Sequence, residues 1–103
     1  MATSKEYRNF CLEQLSFIEG IRDRAMMGEY LLYYNDILFG GIYDERLLIK
    51  KTNHNEKYGL KEEIPYKGAK PMYFIEDMNN KEQIKNIIIE TCKDLPKKKS
   101  THS

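Results

Sequence analysis

Cysteine, histidine and long apolar runs are all scarce in this sequence, and each shortage removes a class of function. The cysteines are Cys11 and Cys92, with no C-x-x-C pair, and the histidines are His54 and His102. A closed structural zinc site takes about four such ligands, and these four are scattered, so no metal is expected. Both cysteines lie on apolar helical stripes, where a thiol acts as a small core residue rather than a nucleophile paired with a base. In a reducing compartment they are expected to stay two independent thiols. Neither a Gly-x-x-x-x-Gly-Lys phosphate loop nor a Gly-x-Gly-x-x-Gly fingerprint occurs, so no nucleotide cofactor is expected either. The expectation is a domain without a catalytic centre.

No apolar stretch approaches the roughly 20 residues of a membrane span. Met1-Ala2-Thr3-Ser4-Lys5-Glu6 leads into a charged amphipathic segment without a secretory apolar region, which predicts a cytoplasmic protein with no membrane contact. Net charge is +1 for the whole chain. Lys97, Lys98 and Lys99 account for three of the 17 basic residues, so residues 1–96 carry 14 basic against 16 acidic groups, or −2. A duplex-binding domain normally shows a clear positive excess, and this body does not. A length of 103 residues suits a single domain. It is expected over residues 1–96, with a disordered basic tail over 97–103.

The elements that are present can be read from period and punctuation. Thr3 to Glu6 has the form of a capping box. Tyr7, Phe10, Cys11, Gln14, Leu15 and Ile18 then recur at helical spacing, predicting a helix over residues 4–18 stopped by Gly20. A short mixed segment, Ile21 to Met27, precedes Gly28. Glu29 to Tyr34, Ile37 to Tyr43 and Arg46 to Lys50 read as strands joined by Asn35-Asp36 and Asp44-Glu45, two-residue pairs suited to hairpin turns. Turns about nine residues apart predict an antiparallel meander. Gly40-Gly41 inside a strand predicts a bulge or a close backbone approach, either beneath a packed helix or facing a ligand. Residues 52–63 predict a short helix capped by Thr52 or Asn53, and Ile64 to Pro71 a loop. Met72 to Ile75 reads as the last strand. A second helix capped by Asn79 or Asn80 carries the stripe Ile84, Ile87, Ile88, Thr91, Cys92 and Leu95, and Pro96 ends it. The predicted class is α+β: an antiparallel sheet, the meander plus one further strand, packed with N- and C-terminal amphipathic helices.

Three pieces in fixed order, Arg24-Ala25-Met26-Met27-Gly28-Glu29, Leu38-Phe39-Gly40-Gly41-Ile42-Tyr43-Asp44 and Arg46-Leu47-Leu48-Ile49-Lys50, resemble the TfoX N-terminal domain family. Pro65 to Met72 is similar to a variant seen in stand-alone members, and the resemblance runs from Tyr7 to about Leu95. It implies an α+β domain and a link to the TfoX (Sxy) regulators of natural competence in some bacteria. Full-length TfoX proteins carry a second, C-terminal domain, and the chain reads as a stand-alone member lacking it. The family's usual Arg-x-Met-Phe-Gly-Gly has Met27 in place of Phe and Glu29 in place of the second Gly. Met26, Gly28, Phe39, Gly40 and Gly41 match the pattern and form its structural signature. No catalytic residue is carried over.

Binding has more material than catalysis. Seven tyrosines, Tyr30, Tyr33, Tyr34, Tyr43, Tyr58, Tyr66 and Tyr73, fall in the sheet region, and tyrosine suits interfaces and half-wet pockets. Glu29 to Tyr34 is apolar on both faces, which predicts a strand covered on both sides, by the chain's own elements, a second subunit or a partner. Arg24, Arg46, Lys50, Lys67 and Lys70, with Tyr33 and Tyr66, form a candidate binding patch if the fold gathers them at one end of the sheet. The leading expectation is a regulatory domain working through a protein partner or a second copy of itself. A nucleic-acid-associated regulator is the first alternative, and a small enzyme or ligand-binding domain the second.

Overall fold

The computed structural model describes residues 3–96, and the tail expected over 97–103 lies outside the described residues. Helix α1 spans Lys5–Gln14, and its cap is Ser4, whose Oγ accepts from the Tyr7 amide at 3.1 Å. Thr3 does not cap it: its hydroxyl accepts from the Glu45 amide at 3.1 Å and donates to the Glu29 carboxylate at 2.7 Å. The helix stops four residues short of expectation. Ser16 Oγ donates to the Glu13 carbonyl at 2.7 Å and the Ile18 amide to Leu15 O at 3.0 Å, which tightens the chain out of the α ladder. Leu15 and Ile18 are nevertheless buried: the stripe foretold the core rather than the helix length.

Strands β2 (Glu29–Tyr34), β3 (Ile37–Tyr43) and β4 (Arg46–Ile49) form the expected meander, and the segment read only as short and mixed adds strand β1 (Ile21–Met26) at its edge. Each hairpin has two central residues at positive φ: Met27-Gly28 (50°, 85°), Asn35-Asp36 (49°, 69°) and Asp44-Glu45 (50°, 56°). That conformation matches the right-handed twist of the flanking strands. The β2–β3 register shifts after Leu32↔Gly40 to Tyr33↔Leu38, making Phe39 the extra residue of a bulge. The bulge turns Phe39 into the core, where it is fully buried. A Cβ on Gly40 would lie 2.1 Å from the Leu48 carbonyl, and one on Gly41 2.7 Å from the Tyr43 ring. The paired glycines therefore admit a neighbouring strand and a tyrosine ring, not a helix.

The second part of the chain departs further from expectation. The short helix is a 3-10 turn over Glu56–Tyr58 preceded by Asn55, whose side chain caps nothing. Asn55 is fully buried. Its amide nitrogen donates to Lys50 O (2.7 Å) and Thr91 Oγ1 (2.8 Å), and its oxygen accepts from the Thr52 amide (2.9 Å). Lys61–Glu63, at the end of the segment expected to contain only a short helix, is strand β5, and Met72–Phe74 is β6. The sheet has six strands in the order β1-β2-β3-β4-β6-β5, every neighbour antiparallel. Helix α2 (Lys81–Cys92) is capped by Asn80, which accepts from the Gln83 amide.

Both helices feed a single apolar cluster against one face of the sheet. Cys11, Leu15 and Ile18 join Ile84, Ile87, Ile88 and Cys92 over Leu32, Phe39, Ile42, Leu47, Ile49 and Tyr73. Burial pushes both thiols up to about 11, so they are inert in the folded protein. No helix among the described residues is long and apolar enough to cross a membrane.

Candidate functional site

One sheet face is covered by the helices, and the other faces away from them. Alternation and register place Arg22, Arg24 and Met26 of β1 on this outer face, with Leu31 and Tyr33 of β2 opposite them. Leu38, Gly41 and Tyr43 of β3, Leu48 of β4 and Phe74 of β6 continue it. The face has two unlike halves.

Over β3, β4 and β6 it is roofed by residues 64–71. The loop turns through Gly68 at φ 87° and an Ala69 N–H to Tyr66 O bond of 3.0 Å. Arg46 ties it down, donating to Glu63 Oε1 at 2.8 Å, to Pro65 O at 3.3 Å and to Tyr43 O at 3.2 Å. The Arg46 guanidinium holds the Glu63 carboxyl below its ordinary range. Tyr66 leans on Tyr43, ring centroids 6.1 Å apart. Beneath this roof Leu48 is fully buried although it lies on the side away from the helices.

Sheet and loop enclose a cleft of about 560 Å³. Leu38, Pro65, Ala69, Pro71 and Met72 supply apolar wall, Tyr43 and Tyr66 bring phenols, and Lys50, Lys51 and Lys70 stand around it. Lys51 is occupied by Glu62 at 3.1 Å. Lys50 and Lys70 make no ion pair with any described residue. Burial raises the Tyr43 phenol above its ordinary value, with Tyr66, Glu29 and Tyr33 adding to the shift, so it keeps its proton.

Nothing among the described residues roofs the β1–β2 half, so of the covers expected for the second face of β2 the described elements supply none. Leu31 and Tyr33 are half-buried, and Arg22 and Arg24 are exposed. At its end the first hairpin presents Met26, 47% exposed, and Met27, 97% exposed. Glu29 secures the base of this hairpin: Oε1 accepts from the Thr3 hydroxyl and amide and from the Asp44 amide at 3.1 Å.

The seven residues of the candidate patch are therefore divided. Lys50, Lys70 and Tyr66 meet at the cleft. Arg46 is a brace with its charge committed to Glu63, and Lys67 sits exposed on the loop outside the lining. Arg24 and Tyr33 belong to the open half, Tyr33 facing Leu38 across the strands. The signature residues Met26 and Gly28 flank the exposed tip, while Phe39, Gly40 and Gly41 build the bulge under the cleft. The apolar walls were missed, although two prolines in one short loop mark a stiff segment able to stand over a sheet. No group of three or more His, Cys, Asp or Glu suited to a metal ion occurs among the described residues.

A sequence model described as the TfoX N-terminal domain matches residues 13–92. The chain is also 34% identical over 80 residues to an uncharacterized 12.7 kDa protein in the trpE 5′ region of Spirochaeta aurantia, covering 76% of this chain and 70% of that protein.

Proposed function

The chain belongs to the TfoX N-terminal domain family, and we propose that it is a non-enzymatic regulatory domain of the cytoplasm that holds a protein partner on the open half of its sheet. One observation carries the reading. Met27 is almost fully exposed and sits at φ 50° in a tight turn. A left-handed conformation costs an L side chain about 1–2 kcal/mol, and exposing a large apolar group gains nothing in solubility. Neither stability nor solubility favours methionine there, and residues that break local rules concentrate at functional positions.

Methionine is also suited to the task, since its flexible thioether adapts to an apolar pocket. Arg24 on the same face has no ion pair with a described residue, and Arg22 has only a 3.7 Å contact to Asp36. The matching partner surface is an apolar pocket rimmed by carboxylates. The family's link to competence regulators supports regulation over catalysis.

Affinity capture from the native host with the wild-type chain, Met27→Asp and Arg24→Glu tests this. A protein retained by the wild type and lost with both variants, while Lys50→Gln retains it, is the expected result. Equal retention by all four chains overturns the reading. Duplex DNA shifted at low salt and lost only with Arg24→Glu would replace it with a nucleic-acid role.

A further inference from the structure

The roofed half holds a cleft whose lining shares no residue with the partner face around Arg24 and Met27. We propose that the cleft under residues 64–71 binds a small amphipathic carboxylate, its apolar body against the walls and its carboxylate between Lys50 and Lys70. The cleft volume of about 560 Å³ lies within the roughly 300–1,000 Å³ of small-molecule sites. It is far larger than an inorganic anion needs.

Charge sets the sign of the ligand. Lys50, Lys51 and Lys70 reach the cleft and no carboxylate lines it. Glu62 answers only Lys51, so two ammonium groups stand uncompensated beside a low-dielectric wall, where an anion gains most. The lining also selects the kind of anion. Phosphate sites commonly add an arginine fork or a helix N-terminus. The lining has neither, since its residues come from strands and loops and Arg46 is turned to Glu63 and Pro65. A single carboxylate on an apolar body matches two lysines, two prolines, a leucine and a methionine. Tyr43 also lines the cleft, and its phenol keeps a proton that a carboxylate could accept.

Titration of the full chain with acetate, inorganic phosphate, hexanoate and phenylacetate, followed by amide chemical shifts, tests the site. Hexanoate or phenylacetate should saturate with shifts centred on Lys50, Ala69, Lys70 and Met72, and acetate and phosphate should bind at least about tenfold more weakly. Lys50→Gln and Lys70→Gln should each weaken the organic probes about tenfold, the size of one lost charge-assisted contact. Ala69→Phe, which fills the cleft and leaves both lysines, should abolish binding. Met27→Asp should change nothing. No saturation below roughly 10 mM by either organic probe, or binding that survives Ala69→Phe, overturns the proposal. So does phosphate binding as tightly as phenylacetate.

Discussion

The roofed and open halves of the outer sheet face share strands, twist and register, yet differ in what lies above them. Over β3–β4–β6 one arginine and two prolines hold a loop in place, burying Leu48 and leaving a lined cleft. Over β1–β2 nothing in the described chain comes down, and the hairpin tip ends in an exposed methionine. The same apolar alternation thus reads out as internal packing in one half and as half-buried surface in the other. What separates the two is a long-range brace, not the strands themselves.

The roofed half should be the more fragile to substitution beneath it. Gly40→Ala would drive a Cβ into the Leu48 carbonyl, and because backbone must move we expect a loss of about 3 kcal/mol by denaturant unfolding. Asn55→Ala comes next. It strands the Lys50 carbonyl, the Thr52 amide and the acceptor side of the Thr91 hydroxyl oxygen, a loss of about 2 kcal/mol. Hydrogen exchange should quicken first around residues 50–58 in that variant. Leu31 and Tyr33 in the open half should keep their protection in both. Uniform loss of protection would break the division.

Acid sharpens the comparison. Glu63 is held down by Arg46, Glu90 by Lys93 and Lys57, and Asp94 by the His54 backbone N–H and then its ring. A carboxyl lowered in the folded state contributes stability above its unfolded value, which is lost as pH falls through the lowered one. Stability should therefore be flat at neutral pH and fall below the ordinary carboxylate range, with residues 50–66 loosening before the meander. Arg46→Gln should cut the larger part of the Glu63 share of this pH dependence, leaving what Lys61 supplies, and leave that of Asp94, as followed by far-UV circular dichroism across an acid titration.

How far the sequence reveals each half follows from the same distinction. Hairpins are local: Asn35-Asp36 and Asp44-Glu45 declare turns by their tolerance of positive φ, and alternation between them declares strands. Lys61–Glu63 does not declare itself, because a short charged edge strand takes its identity from pairing with Met72–Phe74. Asn55 looks like a loop residue until Thr91, 36 positions on, supplies its partner. The stripe through Ile18 gave the right core and the wrong helix end, since burial and helicity part company where Ser16 and Gly20 redirect the chain. Of the candidate patch, the lysines of the cleft were legible by charge. Their separation from Arg24 was not, because it depends on strand order.

The smallest expected change in stability bears on the central claim most directly. Met27→Asn places a residue suited to positive φ in the turn and should stabilise the fold by about 1 kcal/mol. If Met27 is kept for contact, the same variant must lose its partner. Measuring thermal unfolding and partner capture on that one protein decides the matter: a raised midpoint with the captured protein lost is the predicted result. A raised midpoint with the partner retained at wild-type level would contradict the assignment of the open half as the binding face.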